Sequence, residues 1–225
     1  MTPAPTSRDS AEHVSFEFEL MRKGIHMMSL SIPVVYYFIP KDVALMILIP
    51  LTLLFVVGDA LRSFHEPSFR LYHGIFGRML RPHEKTLQKK TLNGASWVLI
   101  SATLCVLVFP KLITITAFAI LIISDTVAAL VGRRYGTRRF NDKSLEGSSA
   151  FVLSAIVVIF FTPKVQYAPV EYVIAAVAAV FGAIAEVLSY DIIDDNIAIP
   201  VAIGSALWLL YVLFLPEMNV YVLDG

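Results

Sequence analysis

The sequence predicts an all-α protein, a polytopic integral membrane bundle of about seven transmembrane helices. Three observations predict it. Of the 225 residues, 57% are hydrophobic and 16% charged, and mean hydropathy is +0.72, whereas a soluble domain carries about 25% charged residues. Apolar runs recur at about 24–40, 43–60, 95–110, 112–131, 148–163, 170–188 and 197–215, with Pro40, Pro110, Pro163 and Pro216 at their edges. Lys and Arg, finally, gather in alternate connections. Seven spans of about 20 residues use roughly 140 positions, which leaves no room for a large soluble domain.

In chain order, residues 1–18 are polar and lack the basic start, short apolar stretch and cleavage site of a signal peptide, so they read as a flexible cytoplasmic leader. Residues 19–216 read as a single membrane domain and 217–225 as a short tail. Several runs fall short of 20 residues and must borrow polar flanks to span. The longest connection, 61–94, places Phe69, Tyr72, Phe76, Met79 and Leu80 on one side of a helix that Pro82 limits. An interfacial helix on the inner leaflet or a solvated loop would each fit this pattern.

Basic residues resist translocation, so they set orientation. With the N-terminus inside, fifteen of the 18 Lys and Arg are cytoplasmic, and Lys41, Lys111 and Lys164 remain outside with the C-terminus. This topology places the chain in a bacterial inner membrane or its equivalent. Eighteen Asp and Glu balance the 18 Lys and Arg, so bulk charge gives no case for nucleic acid. A single cysteine, Cys105, in an apolar run, permits neither an internal disulfide nor a cysteine metal site.

Ionisable residues within apolar spans are costly and point to function. Asp59 closes the second run with Arg62 one turn on, which suits a structural pair. Asp125 has no such local partner and lies seven residues before Gly132, about 10 Å below the inner surface. Glu186 lies near the end of the sixth run. After Asp125 come Ala128, Gly132 and Gly136, then Lys143-Ser144-Leu145-Glu146-Gly147-Ser148. Small residues at this spacing suit ordinary helix packing in a membrane. Together with a carboxylate able to hold Mg²⁺ and a cluster of Arg and Lys, they also supply the parts of a polyphosphate site.

Familiar soluble motifs are absent. Asp142 precedes Lys143, so there is no G-x-x-x-x-G-K-[ST], and no G-x-G-x-x-G or H-E-x-x-H occurs. His13, His26, His65, His73 and His83 show no helical metal spacing. No G-x-S-x-G elbow anchors a serine hydrolase.

Ser124-Asp125-Thr126 with Ala128, Gly132, Gly136 and the Lys143–Ser148 stretch resembles the CTP-dependent lipid-alcohol kinases, which include dolichol kinase, phytol kinase and the yeast-type diacylglycerol kinase. Glu19-x-x-Arg22-Lys23-x-x-His26, Glu186-x-x-Ser189 and Asp195-Asn196-x-x-x-Pro200 agree with it, and the resemblance covers about residues 17–210. The same motifs resemble the related CDP-diacylglycerol synthases, whose longer C-terminal Asp-rich signature is missing here.

The resemblance implies a kinase that uses CTP and Mg²⁺ on the hydroxyl of a membrane lipid alcohol. Phosphoryl transfer needs charge neutralisation and alignment above all. Asp125, Lys143 and Glu186 are then the catalytic candidates. Asp125 is the first Mg²⁺ ligand, and Glu186 and Asp195 are further ligands or the base. Arg22, Lys23 and Lys143 contact phosphate, although inner-leaflet anchoring would also explain Arg22 and Lys23. Ser144, Gly136 and Asn196 belong to the nucleotide side, Gly132 and Gly147 allow close backbone approach, and Glu146 orients Lys143 or the turn. Asp191 and Asp194 read as loop acids. A cytidylyltransferase is the competing enzyme reading, and a small transporter the non-enzymatic one; a homo-oligomer is compatible with each.

Overall fold

A computed structural model describes residues 20, 22–64, 92–140, 143–189 and 193–224. The expected leader, Glu19, Asp191 and the expected interfacial helix of the 61–94 connection lie outside the described residues. Each apolar run becomes helical, as α1 (Ser31–Phe38), α2 (Lys41–Phe64), α3 (Gly94–Val108), α4 (Lys111–Tyr135), α5 (Leu145–Phe161), α6 (Pro169–Leu188) and α7 (Asp195–Phe214). Between α4 and α5, β1 (Arg139–Phe140) and β2 (Lys143–Ser144) form a two-residue antiparallel ladder pairing Arg139 with Ser144 and Phe140 with Lys143.

The expected seven spans are not matched by seven long helices. Among the described residues, four helical stretches are long and apolar enough to cross a membrane: Lys41–Leu61, Lys111–Tyr135, Pro169–Leu188 and Asp195–Phe214. The helices α3 and α5 have 15 and 17 residues, so at 1.5 Å per residue they fall short of a hydrocarbon core about 30 Å thick. The first run is broken. Residues 22–28 are helical, a turn follows at 29–30, and α1 begins at Ser31. Pro33 explains the break, because its ring would meet the carbonyl of Ser29 and it has no N–H to give it.

α4 is the hub. Its membrane window is 83% buried, against 17% for α2, and Leu112, Ile113, Phe118, Ile120, Leu121 and Ile122 sit in the core. α5 packs against it most extensively, with α1 and α7 on other sides. The outer surface is rich in exposed apolar side chains, including Phe38, Met46, Phe161, Leu188 and Phe214. Such a belt is costly in water and suits lipid, which makes this a helical membrane protein.

The bundle has two distinct ends. One carries residues 22–28, the end of α4, the ladder, the start of α5, the end of α6 and the start of α7. At the other, three lysines meet helix C-terminal carbonyls, where a cation is favoured. Lys41 Nζ donates to Leu107 O (3.2 Å), Lys111 Nζ to Ile39 O (2.9 Å), and Lys164 Nζ to Ile159 O (2.8 Å) and Thr162 O (2.9 Å). The tail packs there as well, where Asp224 Oδ1 accepts from Lys111 N at 3.0 Å and closes the N-terminus of α4.

Candidate functional site

Asp125 is buried just past the middle of α4, 3% exposed. The structure corrects the expectation that it lacks a basic partner: Lys23, 102 residues earlier and equally buried, donates its ammonium to Asp125 Oδ2. Local spacing could not reveal a partner on another helix. The rule that a buried charge needs one could have pointed to it, since Lys23 lies in the quoted Glu19–His26 motif. His26, one turn after Lys23, brings Nε2 to 3.6 Å from the same oxygen, and this nitrogen has no hydrogen-bond partner among the described residues. His26 had no role assigned from sequence.

Lys143 leaves the ladder and reaches two further helices. Its Nζ lies 2.8 Å from Glu186 Oε1 on α6 and 3.7 Å from Asp195 Oδ2 on α7. Burial alone would lower its pKa, but Glu186, Asp195 and Asp125 outweigh burial and hold it above the usual lysine value. Lys143 therefore stays an ammonium, and its charge reaches Asp125, which joins the two groups electrostatically. Glu186 is 3% exposed, and its Oε2 has no hydrogen-bond partner among the described residues. Three carboxylates, Asp125, Glu186 and Asp195, stand against the ammoniums of Lys23 and Lys143, with the Arg22 charge close by. Among the described residues no three His, Cys, Asp or Glu side chains form a ready metal group, so the three expected metal ligands do not stand together as a finished cage.

The glycines have a visible packing task. A Cβ on Gly147 would lie 2.9 Å from Ala128 O, and one on Gly132 would lie 2.8 Å from Ser144 Oγ. At Gly136, the C-cap of α4, a Cβ would fall 2.1 Å from Gly132 O. These positions let α4 and the start of α5 touch backbone to backbone, the packing sense of the sequence pattern. Ser144 caps α5 by accepting from Gly147 N at 3.1 Å. Glu146 accepts from Thr137 Oγ1 and from Arg138 N, so it orients the turn and not Lys143. These hydrogen bonds hold its carboxyl at about 2.

Asn196 donates Nδ2 to Asp194 Oδ1 (2.6 Å), and Asp194 also accepts from Asn196 N (3.0 Å) as the N-cap of α7. Asp194, read from sequence as a loop acid, is thus a cap. Arg22 sits one residue before Lys23, and its charge reaches His26. Asp59 is structural through partners the sequence did not indicate: its carboxylate accepts from Asn93 N (2.8 Å), Asn93 Nδ2 (2.9 Å) and Ser96 Oγ (2.7 Å) at the start of α3. The Arg62 side chain lies outside the described residues.

The chain is 29% identical over 188 residues to an uncharacterized protein of Rickettsia prowazekii, a match that covers 83% of this chain and 92% of that one. It is also 29% identical over 167 residues to the CTP-dependent diacylglycerol kinase 1 of Schizosaccharomyces pombe, over 68% of this chain and 74% of the relative. No family model matches the chain. No solved structure matches it either.

Proposed function

We propose that this protein is a lipid kinase that transfers the γ-phosphoryl group of CTP to the hydroxyl of a membrane lipid alcohol, a polyprenol, a phytol-type isoprenoid or diacylglycerol, at the cytoplasmic face of a bacterial inner membrane or its equivalent. One observation carries the reading. Residues from five separated stretches of chain, Lys23 with His26, Asp125, Lys143, Glu186 and Asp195, form one largely buried, charge-rich cluster at one end of an apolar bundle. The similarity to a CTP-dependent diacylglycerol kinase supports the general class and the choice of nucleotide.

The roles follow from charge. Lys23 and Lys143 are the ammoniums that phosphate oxygens would take over, and Asp125, Glu186 and Asp195 are the carboxylates thereby released. Hard oxygen donors suit Mg²⁺, and the unpartnered, buried Glu186 Oε2 fits that donor set. Asp125, with Glu186 or Asp195 as a second donor and the phosphates themselves as the rest, would hold Mg²⁺, which would neutralise charge on the transferring phosphates. The acceptor hydroxyl gives up its proton as its oxygen bonds to the γ-phosphorus and the bond from that phosphorus to the β-phosphate oxygen breaks to release CDP, and the Glu186 or Asp195 carboxylate that is not on the metal receives the proton. Arg22 and Asn196 flank this centre, while Gly132, Gly136, Ser144, Glu146 and Gly147 hold the α4–α5 junction that aims Lys143.

The test is purified protein in lipid with γ-labelled CTP, Mg²⁺ and a panel of lipid alcohols. Labelled lipid phosphate with unlabelled CDP is expected, and chelation of Mg²⁺ should stop its formation. Release of pyrophosphate with formation of a CDP-lipid would make the protein a cytidylyltransferase and overturn the proposal.

A further inference from the structure

Two grooves indent the lipid-facing surface. One, about 670 Å³, lies between α1, α4 and α5 and extends to Phe161, Pro163 and Tyr167. Phe161 ends α5, roughly 24 Å along that helix from Lys143 and the ladder. The other, about 610 Å³, follows the seam between α5 and α6, with Ser148, Ser149 and Val152 on one wall and Ile184, Val187 and Leu188 on the other. Val187 and Leu188 directly follow Glu186, and Ser148 directly follows the Lys143–Gly147 turn. This groove therefore starts at the depth of the charged cluster, within about 3 Å of rise from Glu186.

Building on the kinase reading, we propose that the α5–α6 seam is the site that holds the lipid acceptor, its hydroxyl end towards the charged cluster. One hydrocarbon chain lies along Val152, Leu153, Val180 and Ile184, and the hydroxyl end sits at Ser148 and Ser149, beside Lys143 and Glu186. Polarity sets this direction. The two serines are the polar residues of the lining, and both lie at the cluster end. A hydroxyl placed there can hydrogen-bond to serine and to carboxylate.

The test uses the full chain in phospholipid nanodiscs with a long-chain isoprenoid alcohol that carries a diazirine in its tail. After photolysis, adducts mapped by mass spectrometry should concentrate on Val152, Leu153, Val180 and Ile184. Unlabelled alcohol should displace them. Adducts spread evenly over the apolar belt, centred on Pro33 and Ile115, or not displaced by unlabelled alcohol would overturn the assignment. Ile184→Trp, at a half-exposed position, should raise the KM for the lipid about tenfold and leave the KM for CTP unchanged; an unchanged lipid KM would also overturn it. If the wild type forms no lipid phosphate from CTP while adducts stay saturable and confined to the seam, the kinase reading falls and the groove assignment stands.

Discussion

Lys23 and Asp125 each neutralise a charge that would otherwise stand buried beside an apolar core, and this makes the two residues interdependent. Asp125→Asn leaves the Lys23 ammonium without a counter-charge, so it should destabilise the protein by about 3–5 kcal/mol. Lys23→Met with Asp125→Asn removes both charges and should recover most of that loss while lipid phosphorylation stays abolished. Thermal melts in detergent check this, and a double variant no more stable than Asp125→Asn would break the pairing argument. Lys143→Met removes the ammonium and keeps the apolar stem, so turnover should fall at least about 100-fold. Single-turnover measurements at saturating CTP separate that loss from weaker binding. Glu146 gives a pH effect of known sign. Its folded-state value lies at about 2, below the ordinary 4.5, so the turn it holds is fully stabilised above about pH 4.5 and loses that support as pH falls towards 2. Carboxyl carbon NMR should find the titration near pH 2, and Thr137→Val should move it upward.

Between helices, the closest fit is the junction of α4 and α5. Gly147→Ala places a methyl group 2.9 Å from a backbone carbonyl that cannot yield like a side chain, so a loss of about 1–3 kcal/mol is expected from overpacking. The same thermal melts should show it, together with lower turnover as Lys143 is displaced. Much at this scale was legible in the sequence. Six of the seven apolar runs became single helices within a few residues of their expected limits, because hydropathy and proline act locally. The break after residue 28 was hidden, since residues 24–40 look continuously apolar and only the position of Pro33 separates one helix from two. The shortness of α3 and α5 was legible, since their runs at 95–110 and 148–163 already fall short of 20 residues. In the site, the acids and bases were legible as residue types, but their pairing was not. Lys23 with Asp125 and Lys143 with Glu186 join positions 102 and 43 residues apart, and no periodicity reports such contacts.

Across the whole molecule, the two ends should lie on opposite sides of a membrane. Lys164 is buried against helix carbonyls, so the nearby exposed Tyr167 is the better place for a reporter. Tyr167→Cys should react with an impermeant thiol reagent from outside, and Arg138→Cys should react only after permeabilisation. The native Cys105 is buried and stays silent, and the reverse labelling pattern would invert the topology. The long-range ion pairs also set an order of assembly during synthesis, when the chain enters the membrane N-terminal part first. Lys23 meets its carboxylate once α4 is in place. Lys143 must wait for α6 and α7, because Glu186 and Asp195 arrive last. Until then a half-made bundle carries the Lys143 ammonium without the two carboxylates that pair with it, and it gains them only when the last two helices dock.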